Sequence, residues 1–327
     1  MPTNLPPEYF EAERRYKSAQ TTKEKIECLE ELLGTIPKHK GTDKLRAEYR
    51  KKLSKLKSAT QTKKGISRHE SAFHIEKEGA GRITVIGAAN VGKSSLVKKY
   101  THAEPEISPS PFSTWTPTPG MMNYENIQIQ MIDTPALDRD YIEPEMIDLI
   151  KNSDVVVLMI DLQSLLIKQF QDSLAVLERY HIFPDHLRDQ ISDPKSTALP
   201  FIVAVNKDDG ITQDEDFEIF RELLEDHWII VPISVTGNRN LDKLGQAIFD
   251  KMNIMRIYAK PPGKQVDRSL PFVLKKDSTV MDFARKVHKD FYENLKSAKV
   301  WGKGVYDGQL VGRDHILFDG DVVELHL

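Results

Sequence analysis

Three short stretches carry residue types that together hold phosphates and read a base. "GAANVGKSS", Gly87 to Ser95, matches G-x-x-x-x-G-K-[ST], with an apolar run before it and an amphipathic stretch after it. Gly87 and Gly92 let the backbone wrap closely, and the amides of Asn90, Val91 and onward to Ser95 point into the loop at a helix start. Lys93 reaches the β- and γ-phosphates, and the Ser94 hydroxyl is a Mg²⁺ ligand. Such a loop implies a nucleoside triphosphate and leaves the base open. The base is addressed by "NKDD", residues 206–209, directly after the apolar run "PFIVAV". A carboxylate at Asp209 accepts from both the ring NH and the exocyclic amine of guanine, a pair of donors that adenine does not present. Leaving such a carboxylate unpaired is what rejects an analogue by on the order of 10⁴. Asn206 is expected to tie this loop to the phosphate loop, and Lys207 to lay its stem along the base. "ISVTG" adds Ser234 and the Val235 amide, the latter suited to the guanine carbonyl.

"NIQIQMIDTPAL", residues 126–137, fits a buried strand that stops on Asp133 and breaks at Pro135. Taken alone it is either core architecture or the end of a phosphate sensor, and the phosphate loop upstream favours the sensor. Asp133 then holds Mg²⁺, usually through water, and the Ala136 amide faces the γ-phosphate. Ala136 stands where such loops usually carry glycine. Its NH is kept, but a Cβ removes the left-handed conformations that glycine visits, so binding is expected to survive while the switch opens less readily. Between these motifs "EISPSPFSTWTPTPG", 106–120, has no periodicity and suits a switch loop. Thr114 is favoured as its Mg²⁺-completing hydroxyl, with Thr116 and Ser113 open.

These loops need elements to hold them. From residue 81, "RITVIG", "IQIQMID", "DVVVLMID", "PFIVAVN" and "WIIVPIS" alternate with amphipathic stretches after Lys93 and around 143–152, 163–180, 213–226 and 240–252. That alternation predicts an α/β domain with a mostly parallel sheet covered by helices on both faces and its ligand loops at the strands' carboxyl ends. Upstream, residues 8–57 carry helical spacing, with Thr21 and Glu24 spaced as a capping box, and predict a helical hairpin or small helix-turn-helix. Residues 58–69 are polar and predict a linker. The Pro/Gly-rich joint at 258–269 precedes a small α+β unit. The expected domains are 1–68, 79–257 and 268–327.

The chain has 327 residues, ordinary globular composition and a single cysteine, Cys28, which excludes an internal disulfide or a cysteine zinc site. No apolar run approaches the roughly 20 residues that span a bilayer, and no signal segment opens the chain, so the expected location is cytoplasmic, away from membranes. Charge is uneven. Residues 38–68 hold 12 Lys or Arg against Asp43 and Glu48, a local +10 that leaves -13 elsewhere in a chain of net charge -3. Such asymmetry suits an acidic partner such as RNA, although a solvated helix face has the same composition.

In order, "GAANVGKS", "PFSTWTP", "DTPAL", "NKDD" and "ISVTG" resemble the Obg superfamily of GTPases, most closely its developmentally regulated GTP-binding branch of archaea and eukaryotes. The resemblance covers most of the chain. The basic N-terminus looks like that branch's helix-turn-helix region, and 268–327 looks like its ubiquitin-like β-grasp TGS domain. It implies a cytoplasmic enzyme that hydrolyses GTP to GDP and phosphate, with Mg²⁺, around ribosomes and translation, with a separate stabilising partner protein. "PFST", against the family's Pro-Phe-Thr-Thr, supports Thr114. Many relatives place Asn at the position of Asn90 and bind K⁺ beside the phosphates, a charge worth roughly 10³ to 10⁵ in rate. An apolar residue where Leu137 stands replaces a water-orienting Gln, so slow, K⁺-stimulated turnover with no side-chain base is implied. The chain departs from the family at Ala136, and only 163–199 fill the interval where the branch carries an α/β insert. The alternative, from another class, is a nucleotide-gated RNA- or ribosome-binding scaffold with negligible turnover, which Ala136 favours.

Overall fold

Apolar residues at helical spacing close a small core in the first of two compact units, residues 1–70; the second is 71–327. The computed structural model describes residues 7–18, 22–36, 42–63, 73–101, 116–139, 141–209, 214–224 and 227–327. In the first unit α1 (Pro7–Ser18), α2 (Thr22–Thr35) and α3 (Asp43–Lys63) surround Tyr9, Ala12, Leu29, Leu32, Tyr49 and Leu53. Tyr9 and Tyr49 join hydroxyls at 2.9 Å, and the Arg46 guanidinium donates to the Ile36 carbonyl at 2.8 Å, closing the end of α2. Three helices thus stand where a two-helix motif is expected, and α3 runs to Lys63 through part of the expected linker. "SATQTK" contains no Gly or Pro, and a loss of apolar periodicity is not in itself a stop signal. Thr21 lies outside the described residues.

In the second unit the strands alternate between two apolar faces. Val155, Val157 and Met159 point into one core and Val156, Leu158 and Ile160 into the other, as the two-residue period of a strand requires. The sheet comprises β1 (Arg82–Gly87), β2 (Thr118–Tyr124), β3 (Ile127–Asp133), β4 (Val155–Asp161), β7 (Phe201–Asn206) and β8 (Ile229–Pro232), in the order β2-β3-β1-β4-β7-β8. All neighbours are parallel except β2 on β3. One face is covered by α4 (Lys93–Tyr100) and α8 (Leu241–Lys251), the other by α5 (Pro144–Lys151), α6 (Leu166–Arg179) and α7 (Asp214–Leu223). Strand β2 takes up the end of the stretch expected to be all loop. It is an edge strand whose Pro119 and Gly120 disguise it, and a proline is tolerated there because the edge needs no second ladder. A two-stranded parallel ribbon, β5 (Ile182–Pro184) with β6 (Thr197–Leu199), encloses a short 3-10 helix (Asp185–Gln190) before β7.

A second sheet of order β10-β9-β13-β11-β12 follows: β9 (Ile254–Ala259), β10 (Phe272–Lys275), β11 (Ser297–Trp301), β12 (Gln309–Val311) and β13 (Val322–His326). Helix α9 (Val280–Val287) packs on it, starting from a complete capping box of Thr279 and Asp282; the short α10 (Lys289–Asn294) follows. Residues 254–257, expected in the first domain, are thus a strand of the second sheet. The Pro261–Gly263 cluster is the loop between paired strands β9 and β10, not a joint between domains. No described helix is long and apolar enough to cross a membrane.

Candidate functional site

The phosphate loop, 87–92, crosses from the end of β1 to the start of α4, and backbone geometry explains its glycines. Gly87 has φ +145, and a Cβ on it would lie 2.3 Å from the Met159 carbonyl oxygen. Gly92 has φ +100, and its Cβ would lie 2.4 Å from Asn206 Nδ2. Asn90 takes φ +61, a left-handed conformation that Asn tolerates better than most residues, on the exposed crest of the loop. Val91 is buried beneath it, and Ser95 sits half-buried in the first turn of α4.

Lys93 is buried, with Nζ donating to the carbonyls of Gly87 at 3.1 Å and Ala88 at 2.6 Å. Burial pulls its pKa from 10.5 down to about 8, partly opposed by the carboxylates of Asp133 and Asp138. A bound polyphosphate favours the protonated amine and raises that value. Above about pH 8 binding must therefore take up a proton, and affinity falls by up to roughly tenfold per pH unit. GDP titrations at pH 6.5 to 9.5 should show a plateau below about 7 and this decline above about 8. A flat profile means Lys93 does not contact the phosphates.

Asn206, at the end of β7, joins the loops: Nδ2 donates to the Val91 carbonyl at 2.8 Å, and Oδ1 accepts from the Val235 amide at 3.2 Å. The amide assigned to the guanine carbonyl thus already has a partner, which a bound base shares or displaces. Asp209 is exposed, and its Oδ1 accepts from the Ser234 hydroxyl and, at 3.3 Å, from Thr236. These hydroxyls orient the carboxylate while lone pairs remain for two base donors. Lys207, at φ +68, pairs its ammonium with Asp161 Oδ2 at 2.5 Å, so its head is anchored at the end of β4. Two further residues hold this loop: Arg239 donates to the buried Asp208 at 2.8 Å, and the Asp208 amide donates to Ile233 O at 3.1 Å. At 31 positions apart, no sequence spacing points to the Arg239–Asp208 pair.

On the phosphate side, Ser94 Oγ donates to Asp133 Oδ2 at 2.6 Å, bringing the two expected Mg²⁺ ligands together between the first turn of α4 and the end of β3. A hydroxyl and a carboxylate are hard oxygen donors that suit Mg²⁺. Among the described residues no cluster of three His, Cys, Asp or Glu could hold a metal alone, so the pair needs further oxygens, from phosphate, water or another hydroxyl, to complete a shell. Thr134 Oγ1 donates to Val85 O at 2.7 Å and fixes the turn. Ala136 is buried and is not among the residues with positive φ, so its Cβ is compatible with this conformation. Leu137 is 2 % exposed in the core with Ile86 and Ile142, and its amide donates to Gly87 O at 3.0 Å. Thr116 is exposed; Thr114 and Ser113 lie outside the described residues.

Residues 82–207 match the family described as 50S ribosome-binding GTPase, and residues 255–327 match the TGS domain. An uncharacterized GTP-binding protein of Methanocaldococcus jannaschii is 28% identical over 92% of this chain and 92% of its own. Ribosome-interacting GTPase 1 of Saccharomyces cerevisiae is 27% identical over 93% of this chain and 99% of its own. Developmentally-regulated G-protein 3 of Arabidopsis thaliana is 28% identical over 93% and 98%. The last two alignments run over 369 positions, more than this chain contains, so those relatives carry segments without counterpart here. Among solved structures, the Schizosaccharomyces pombe YchF GTPase has the same fold at 10% identity, with a TM-score of 0.51 over 77% of this chain and 99% of that one. A GTP-binding protein from Pyrococcus horikoshii has a TM-score of 0.50 at 14% identity over 75% and 99%. The chain carries a P-loop GTPase domain and a C-terminal TGS domain, and over almost its whole length it is similar to developmentally regulated GTP-binding proteins.

Proposed function

We propose that the chain binds GTP through these loops and hydrolyses it slowly to GDP and phosphate, with K⁺ stimulation, in association with ribosomes. The observation that carries the reading is Asn206, whose one side chain bonds both the phosphate loop and the loop bearing Val235, so phosphate and base recognition share a rigid frame. Lys93 turns its ammonium from the loop carbonyls to the β- and γ-oxygens, and the Ala136 amide donates to the γ-phosphate. Asp209 accepts from the guanine ring NH and amine. Ser94, Asp133 and Thr114 are the residues to hold Mg²⁺, and Asn90 the residue to help hold K⁺; together these ions supply positive charge that offsets charge developing on the phosphates. Leu137 is packed into the core and its hydrocarbon side chain carries no proton acceptor, so orientation of the attacking water falls to backbone groups. The ribosome reading rests on one relative named for ribosome interaction, on the description of the family matched by residues 82–207, and on α3, where Lys44, Arg50, Lys51 and Lys52 are exposed while Arg46 is structural. Phosphate contacts make such binding fall steeply with salt.

The scaffold alternative draws on Ala136. Single-turnover hydrolysis at equal ionic strength in KCl and NaCl, with bound nucleotide quantified and ribosome cosedimentation run across a salt series, separates the two. Faster turnover in KCl and salt-sensitive cosedimentation are expected. Equal rates in both salts remove the K⁺ role, and tight binding without turnover establishes the scaffold.

A further inference from the structure

We propose that Asp138 is a latch that sets how strongly the site discriminates GTP from GDP. The proposal rests on the reading that residues 87–95 hold the phosphates. The Ala89 amide, within the phosphate loop, donates to Asp138 Oδ1 at 2.9 Å. The neighbouring Leu137 amide donates back to the Gly87 carbonyl at 3.0 Å. Two hydrogen bonds of opposite polarity therefore tie the sensor turn after β3, residues 134–138 and here the second switch, to the phosphate loop, and the burial of Leu137 keeps the backbone at residue 138 in place. A carboxylate oxygen thus sits on a backbone amide of a loop built to bind anions, as a phosphate oxygen does.

GDP leaves this edge of the site uncharged. GTP adds the γ-phosphate beside Ala136, two residues along the chain from Asp138, and the two negative charges oppose one another, an opposition that solvent weakens but does not remove because Asp138 is exposed. GDP is compatible with the closed latch, whereas GTP requires it to open. The structure also offers the released carboxylate a destination. Asp138 lines a groove of about 330 Å³ between the phosphate loop, the second switch and α6, and Lys168 lines the same groove. An open latch swings only the Asp138 side chain to Lys168, which frees the Ala89 amide while Leu137 stays packed and the Ala136 amide stays on the γ-phosphate.

The test uses full-length wild type, Asp138→Asn, Asp138→Ala and Lys168→Ala, with equilibrium affinities for GDP and GTPγS measured at fixed Mg²⁺ and K⁺. Removing the charge at 138 is expected to raise the ratio of GTPγS to GDP affinity by about tenfold, with GDP affinity changed less than about twofold. Lys168→Ala should lower the ratio. An unchanged ratio with intact binding overturns the latch alone, as does lost hydrolysis at an unchanged ratio, which would assign Asp138 to the chemical step. Wild-type protein that binds neither nucleotide overturns the phosphate-loop reading, and the latch with it.

Discussion

Asp209→Asn is expected to lower GTP affinity by on the order of 10² to 10³ and to create affinity for xanthosine triphosphate. A carboxylate offers two acceptors to the ring NH and exocyclic amine of guanine; the carboxamide offers one acceptor and turns an NH₂ toward the amine. Xanthine carries a carbonyl there and accepts from that NH₂. Ser234 and Thr236 both bond Oδ1, so the Asn side chain keeps its orientation and the exchange is chemical, not structural. The expected loss is smaller than the roughly 10⁴ to 10⁵ seen when fully buried partners are left unpaired, because Asp209 is exposed. Competition of GTP and xanthosine triphosphate against a fluorescent GDP gives the measurement. A variant with wild-type preference would place base recognition elsewhere.

Gly92→Ala is the second large effect. The residue has φ +100, where an L side chain is strained by about 1–3 kcal/mol, and the new Cβ would lie 2.4 Å from Asn206 Nδ2. Asn206 cannot yield without releasing Val91 or Val235, so the clash uncouples the phosphate loop from the base loop. Nucleotide affinity should fall at least about 10²-fold, and Tm should drop by several degrees, at about 2–4 °C per kcal/mol for a domain of this size. Gly312→Ala is the matched control, with nothing within 4 Å of its added Cβ. Thermal melts with and without GDP decide the matter. A GDP-induced shift equal to that of the wild type in Gly92→Ala would mean the two loops do not act as one frame.

The nucleotide loops are legible in sequence because their chemistry admits few residue types: only Gly fits at 87 and 92, and Asn206 needs both a donor and an acceptor. The central strands are legible for a related reason, since both faces are buried and only apolar runs satisfy them. Strand β2 is hidden because one ladder suffices at an edge, so Pro119 and Gly120 stand where propensity argues for loop. The boundary at β9 is hidden because Pro261–Gly263 is the strongest punctuation nearby, yet a tight turn within a domain uses the same residues as a joint between domains. Asp138, Arg239 and the Asp161 anchor of Lys207 are invisible for another reason. Each depends on loops that are distant in sequence and meet only through the strand order β3-β1-β4-β7-β8. The departure at Ala136 is one the sequence does show, and its backbone has no positive φ, so alanine suits this conformation.

That the four loops form one guanine nucleotide site is tested most directly by titrating purified protein with fluorescent GDP in Mg²⁺ and displacing it with unlabelled GTP or ATP. Displacement by GTP at concentrations at least a hundredfold below those needed of ATP is the predicted result, and equal displacement by the two, or no binding of the labelled nucleotide, would contradict it.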